Sequence, residues 1–457
     1  MPESAPLARL EAALPGRVAA DPETLAAYTA DRSGHRSPGL PLAVALPETV
    51  EEVRAICRIA TETRTPIVTR GAGTGLAGGA VAGPGELVVD LTRMRRILEI
   101  SAENRLAVVE PGILNGELNA ALAPHGLWWA PDPASKDIST VGGNIAMNAG
   151  GLLCAKYGVT REAVLALKVV LADGRLIEVG HRTVKGVTGY DLCALMIGSE
   201  GTLGIIVECT LKLQPAVAGE PVTLGAFFDR LEDAAAAAAA VTARGHVPAI
   251  MELMDRRTLE CIDRRTGGDL ASGCDAYLLV QCDGAGAFDA ADGIRALLEA
   301  AGARVTSTTD PAESERLWAL RRGAFPAIEA LGTLLIEDIA VPRDRMAEAY
   351  ARIRDIEARY DVPIPTTCHA GDGNLHPTFA FRGEEVPQRI WDAAAEVFSM
   401  ALELGGTLSG EHGIGLLKRR WLEDELGREQ FDLQRRIKGV FDPLNLLNPG
   451  KVFDPAG

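Results

Sequence analysis

Residues 70–80 read RGAGTGLAGGA, and the VAGPGE that follows adds two more glycines and a proline before the chain turns strand-like at LVVD. This stretch decides between fold classes. A Rossmann dinucleotide site needs a helix to start inside its glycine loop, so that the helix N-terminus can meet a pyrophosphate. Glycine and proline are the poorest residues for a helix interior, and no helix fits here. The Rossmann fold is therefore rejected. Backbone N–H groups of a glycine-rich turn can still form an anion-binding nest without a helix.

Two further loops share this texture. PDPASKDISTVGGNIAMNAGG, residues 131–151, collects Ser135, Thr140, Gly142, Gly143, Asn144, Asn148, Gly150 and Gly151 in a loop-rich stretch. GSEGTLGIIV, residues 198–207, feeds a long strand. Buried loops leave backbone polar groups that need partners. Three in one apolar domain point to a large polar ligand carrying phosphates, amides and a flat ring.

A different chemistry is concentrated in CHAGDGNLHPTF, residues 368–379, which holds two of the chain's seven histidines. His369 and His376 do not share a helix face, because Gly371, Gly373 and Pro377 break one. Asp372-Gly373 is a hairpin turn signal, and strand, turn and strand return the two imidazoles to one place. SGEHGIG, residues 409–415, adds Glu411 with His412 beside it. Two imidazoles and a carboxylate suit Zn²⁺, Mn²⁺ or Fe²⁺ and leave coordination positions open. Two ordinary histidines flanking a turn are the alternative reading.

The remaining organisation is conventional. At 457 residues, 47% apolar and 24% charged, the chain has material for two or three domains. A net charge of −16 disfavours nucleic acid and anionic membranes as partners. No apolar run is long enough to span a bilayer, and the N-terminal residues carry no secretory pattern. The eight cysteines form no CxxC, which argues against an iron–sulfur cluster or zinc ribbon on this chain and for free thiols in the cytoplasm. From about residue 217 the pattern becomes strand, helix, strand, strand, helix, strand, the split βαβ order of a ferredoxin-like layer.

Together these stretches resemble the vanillyl-alcohol-oxidase type flavoproteins. The nearer likeness is to the D-2-hydroxy-acid dehydrogenases, a group that includes D-lactate dehydrogenase and the flavoprotein subunit of glycolate oxidase. The strings RGAGTGLAGGA, PDPASKDISTVGGNIAMNAGG, TGYDLCALMIGSEGTLGIIVECTLKL, CHAGDGNLHPTF, SGEHGIG and LNPGKVF carry it, in family order, over residues 35–455. The resemblance implies an α+β fold. A two-part FAD-binding domain would span 1–217, and a substrate or cap domain with a ferredoxin-like antiparallel sheet and the metal site 218–440. A tail, 441–457, would return to the first domain.

It also implies roles. Arg70, Gly71, Ala72, Gly73, Thr74, Gly75 and Leu76 would cradle the FAD pyrophosphate. Pro133, Ser135, Thr140, Gly142, Gly143, Asn144 and Asn148 would line the ribityl chain and ring. Glu200, Gly201, Gly204 and Ile206 would lie along the cofactor, with Asn448 returning from the tail. Relatives with covalent flavin commonly carry a histidine where this chain has Thr74, so FAD is expected to be non-covalent. His369, His376 and Glu411 would hold one divalent ion, zinc or manganese. His412 would be the general base, flavin N5 the hydride acceptor, and Arg321 the partner of the substrate carboxylate, with His369 and His376 meeting substrate on the ion side. Ile336 stands where relatives acting on 2-hydroxyglutarate carry a lysine, which points to lactate, glycolate or an apolar hydroxy acid.

The acceptor is left open among cytochrome, quinone, electron-transfer flavoprotein, iron–sulfur subunit and oxygen, as is a homodimer or a peripheral place at the inner face of the membrane. Two competing functions remain at this point: a flavin-free His/His/Glu metallohydrolase, and a flavin subunit that only relays electrons.

Overall fold

The computed structural model describes residues 4–383 and 385–453. Backbone contacts divide the chain into two compact units: 1–150, 158–216 and 411–457 form the first, and 151–157 with 217–410 the second. The return to the first unit thus begins at 411, thirty residues before the 441 expected from the sequence, and a short piece of the second glycine loop belongs to the second unit. No described helix is long and apolar enough to cross a membrane.

The first unit holds two larger sheets and a two-stranded pair, Leu127–Trp128 with Gln214–Pro215. In one, Ala43–Ala45, Leu87–Asp90 and Ile67–Arg70 run parallel, with Val18–Ala19 antiparallel at the edge. The helix Val50–Thr63 connects the strands Ala43–Ala45 and Ile67–Arg70. Thr49 caps it by accepting from Glu52 N–H at 3.3 Å, and Val53, Ile56, Cys57, Ile59 and Ala60 form its buried stripe. The other sheet is antiparallel, in the order Ile97–Ser101, Leu106–Val109, Ile205–Lys212, Val164–Val170, Leu176–Gly180. Part of the second glycine loop is helical: Val141–Met147 forms two turns, capped by the Thr140 hydroxyl and closed by Asn148 at φ 48°. Its Gly-Gly-Asn composition hides this helix from a propensity reading.

The second unit is built on an antiparallel sheet ordered Arg304–Thr308, Val222–Phe228, Ala276–Cys282, Ile250–Asp255. This is the 4-1-3-2 arrangement that the split βαβ pattern implies. A helix absent from that pattern, Arg256–Thr266, is inserted between its second and third strands and capped by Asp255. The hairpin Thr366–His369 and Asn374–Phe381 then extends the sheet from the Ile250–Asp255 edge, followed by Thr333–Ile336.

The tail is fastened to the first sheet by main-chain bonds. Ile67 N–H donates to Leu446 O at 2.6 Å and Asn448 N–H to Ile67 O at 2.7 Å. Asp442, 1% exposed, secures the turn before it, accepting from Leu446 N–H at 3.0 Å and Leu447 N–H at 2.7 Å while pairing with Lys438. Asp442→Asn leaves the buried ammonium without its counter-charge. The first urea-unfolding transition is expected to lose ~3–5 kcal/mol, the cost of breaking a buried pair. A loss under 1 kcal/mol would show that the pair does not hold the tail.

Candidate functional site

Within the first unit the glycine loops converge because their Cα atoms can approach other chain segments closely. A Cβ on Gly71 would lie 2.3 Å from the Thr140 hydroxyl, and one on Gly142 would lie 2.4 Å from Pro111 Cβ. Arg70 has a different place from the one expected of it. Its Nη1 donates to Ala30 O at 3.0 Å and Ala80 O at 2.8 Å, and its guanidinium lies over the Tyr28 ring at 5.1 Å. The side chain fastens the far end of its own loop, at Ala80, to the segment carrying Ala30. Gly204 and Ile206 have packing contacts of their own. A Cβ on Gly204 would meet Val169 Cγ1 at 2.3 Å, and the Ile206 side chain belongs to the apolar core beneath the antiparallel sheet.

Three buried side-chain atoms in this region, Thr69 Oγ1, Ser139 Oγ and Asn144 Nδ2, have no hydrogen-bond partner among the described residues. Each such group costs about 1–3 kcal/mol when left unmatched, so they mark where a polar ligand is expected. Asn144 is in the expected set; Thr69 and Ser139 are not, since nothing local in the sequence distinguishes them from loop-stabilising hydroxyls. Ala72 is exposed, while Gly73, Thr74, Gly75, Leu76, Pro133, Ser135 and Gly143 are partly so.

Glu200 links these loops to SGEHGIG. At φ 52° its buried carboxylate accepts from Ile414 N–H at 2.7 Å and Gly415 N–H at 2.8 Å. Burial raises its pKa, with the two N–H bonds pulling the other way. Asn448 Nδ2 donates to Glu200 O at 2.6 Å, where a Cβ on Gly201 would crowd it. Gly415 is required for close approach: at φ 50°, a Cβ there would fall 2.1 Å from Ala77 O. Glu411 and His412 immediately precede this backbone in the first unit, and a Cβ on Gly150 would come within 2.4 Å of Glu411 Oε2.

The histidine pair lies in the second unit. The hairpin register sets His369 opposite Asn374 and Thr367 opposite His376, so the two histidines are diagonal neighbours on one face. Their ring centroids are 5.0 Å apart and nearly perpendicular. Gly373 at φ 80° makes the turn, where a Cβ would strike Val341 O at 2.2 Å. On the neighbouring strand Glu252 pairs in register with His369. Its Oε1 lies 2.6 Å from His369 Nδ1 and its Oε2 accepts from Arg321 Nε at 2.9 Å. Burial pushes the Glu252 carboxyl up, but His369 and Arg321 pull it below its ordinary value. Asp338, also buried, accepts from Asn374 Nδ2 and Ser409 Oγ, both at 2.7 Å, with His376 Nδ1 at 3.6 Å. Glu252 and Asp338 were not singled out by sequence: Glu252 meets His369 through strand register, and Asp338, between the strands Thr333–Ile336 and Ile339–Ala340, meets Asn374 and Ser409 only on folding.

Two family descriptions match the chain: "FAD binding domain" over residues 41–180 and "FAD linked oxidases, C-terminal domain" over residues 220–452. "Glycolate oxidase subunit GlcD" of Bacillus subtilis is 42% identical over 422 residues, covering 91% of this chain and 89% of that one. "D-lactate dehydrogenase" of Archaeoglobus fulgidus is 39% identical over 414 residues, covering 90% of each. Among solved structures, 4-ethylphenol oxidase from Gulosibacter chungangensis aligns with a TM-score of 0.79 at 20% identity, covering 98% of this chain and 97% of that one. p-Cresol methylhydroxylase aligns with a TM-score of 0.79 at 16% identity, covering 98% and 96%. These two likenesses establish the fold.

Overpacking the loop contact tests the FAD region. Gly142→Ala forces the Val141–Met147 helix away from Pro111. At about 1–3 kcal/mol of strain, FAD affinity measured by fluorescence titration is expected to fall roughly tenfold to hundredfold. Gly439→Ala, with nothing within 4 Å of the added Cβ, should bind FAD as the parent does. Equal affinity in the two variants would remove Gly142 from the site.

Proposed function

We propose that this chain, which belongs to the FAD-linked oxidase family, oxidises a small D-2-hydroxy acid to its 2-oxo acid. The observation that carries the reading is Arg321 and His369 held on one buried carboxylate, next to a second histidine. A carboxylate on imidazole Nδ1 keeps a proton there and turns Nε2 into the ligand atom, the arrangement that metal-binding histidines adopt. His369, His376 and Glu411 would hold one divalent ion, zinc or manganese. The ion would supply Lewis acidity that lowers the pKa of a bound alcohol. FAD, bound non-covalently, would supply the two-electron acceptor.

The protein's own groups divide the remaining work. Arg321 uses only Nε on Glu252, which leaves its paired η nitrogens for a bidentate bond to the substrate carboxylate. His412 takes the hydroxyl proton as general base. Ile336 offers no cation for a second carboxylate, which favours lactate- or glycolate-like monocarboxylates. The names of the Bacillus subtilis and Escherichia coli relatives, both glycolate oxidase subunits, support passing electrons to a separate acceptor protein. The family's flavin domain argues against a flavin-free hydrolase.

Two experiments test the reading. Acid precipitation is expected to release the yellow colour into the supernatant; colour kept in the pellet would mean covalent flavin despite Thr74. His412→Ala is expected to keep FAD and metal but to slow flavin reduction by D-lactate, in a single anaerobic turnover, by ~10²-fold or more. The deficit should shrink as pH rises and hydroxide substitutes for the base. Reduction at the parent rate would place the base elsewhere.

A further inference from the structure

We infer that Glu252 is a positioning residue with two simultaneous duties: it orients His369 toward the ion and holds Arg321 for the substrate carboxylate. The inference rests on the ion and arginine roles proposed above and adds the residue that ties them together.

Four observations carry it. Glu252 is 0% exposed, and an ionised carboxylate without partners is too costly to bury. Its two oxygens are divided between the two groups, Oε1 at 2.6 Å from His369 Nδ1 and Oε2 at 2.9 Å from Arg321 Nε. Its place is set by the backbone, because Glu252 and His369 are direct partners across antiparallel strands. Arg321 approaches from another element, the helix Pro311–Glu329, whose start is fixed by Asp310 accepting from Glu313 N–H at 2.9 Å. The comparable carboxylate beside the other histidine does not do this: Asp338 spends its short bonds on Asn374 and Ser409, and His376 Nδ1 stands off at 3.6 Å.

The geometry has a chemical consequence. A proton shared between His369 Nδ1 and Glu252 fixes the tautomer with its lone pair on Nε2 and makes that nitrogen more basic. The same carboxylate orients Arg321 through Nε, which points the Nη1/Nη2 edge away from it. Removing the negative charge weakens both arrangements at once, whereas a group serving only the fold would disturb neither zinc affinity nor the Michaelis constant specifically.

The test uses the FAD-loaded full chain, with Glu252→Gln compared to the parent. Zinc affinity is measured by chelator competition, and steady-state kinetics with D-lactate and an electron-accepting dye are run at saturating zinc. The variant is expected to bind zinc about 10–100-fold more weakly, the usual effect of losing such a partner. Its KM for D-lactate is expected to rise roughly tenfold or more even when zinc is saturating, with kcat within a few-fold of the parent and FAD content unchanged. Glu252→Asp keeps the charge but withdraws it by one methylene; both losses should appear in smaller degree, and this variant carries the test if the glutamine form does not fold. Zinc affinity and KM equal to the parent's, even with lowered thermal stability, would overturn the inference. A loss on one side alone would overturn the joint role. A parent that takes up no zinc would refute the ion reading itself, whereas a parent that binds zinc no better than the variant would refute only the part assigned to Glu252.

Discussion

The ladder between Ile250–Asp255 and Thr366–His369 governs the chemistry of the second unit. Side chains alternate faces along a strand, so a slip of one residue would turn Glu252 away from His369 and send a buried carboxylate into the opposite layer. The register is held from both sides. Ala370 N–H donates to Met251 O at 2.8 Å just beyond the strand, and the turn closes with Asp372 and Gly373 N–H on His369 O, both at 3.0 Å. Main-chain bonds that carry no chemistry of their own thus decide which charged groups meet.

The first unit meets a different constraint. It buries long irregular segments, each of which must place its polar backbone groups. The solution is exchange between loops. Glu200 accepts from 414 and 415, Ala77 O accepts from Leu416 N–H at 2.8 Å, and Asn448 bridges Glu200 O and Thr69 N–H. Glycine is needed at Gly71, Gly142 and Gly415 because backbone or hydroxyl atoms of other loops occupy the space a side chain would take.

Much of this was legible because it is local. The histidine hairpin follows from Asp-Gly flanked by strand residues, and the ferredoxin-like strand order from alternation of elements. The helix Val141–Met147 was hidden, since its stability comes from the Thr140 cap and buried Val141 and Ile145 rather than from propensity. Arg70 was assigned to the pyrophosphate through the family resemblance, while its carbonyl partners at Ala30 and Ala80 are defined only by folding. Glu252 lies 117 residues from His369, a separation at which no pattern in one sequence reports a contact. The return at 411 was missed for a similar reason: SGEHGIG carries no change of composition, and its allegiance to the first unit is expressed through backbone bonds to Glu200 and Ala77.

The bond from Thr69 N–H to Asn448 Oδ1 joins residues 379 positions apart. Closing so long a loop costs only modestly more entropy than closing one half its length, because the penalty grows with the logarithm of length. The kinetic consequence is larger. On a ribosome, the first sheet waits for residues 446–448, which emerge only after residues 217–410, and those already contain nearly all of the second unit. The order of completion therefore reverses the order of synthesis: the first unit, begun before the second, is finished after it. During that interval the strand Ile67–Arg70 presents an unfinished edge, the kind of surface on which a nascent chain is most exposed to mispairing.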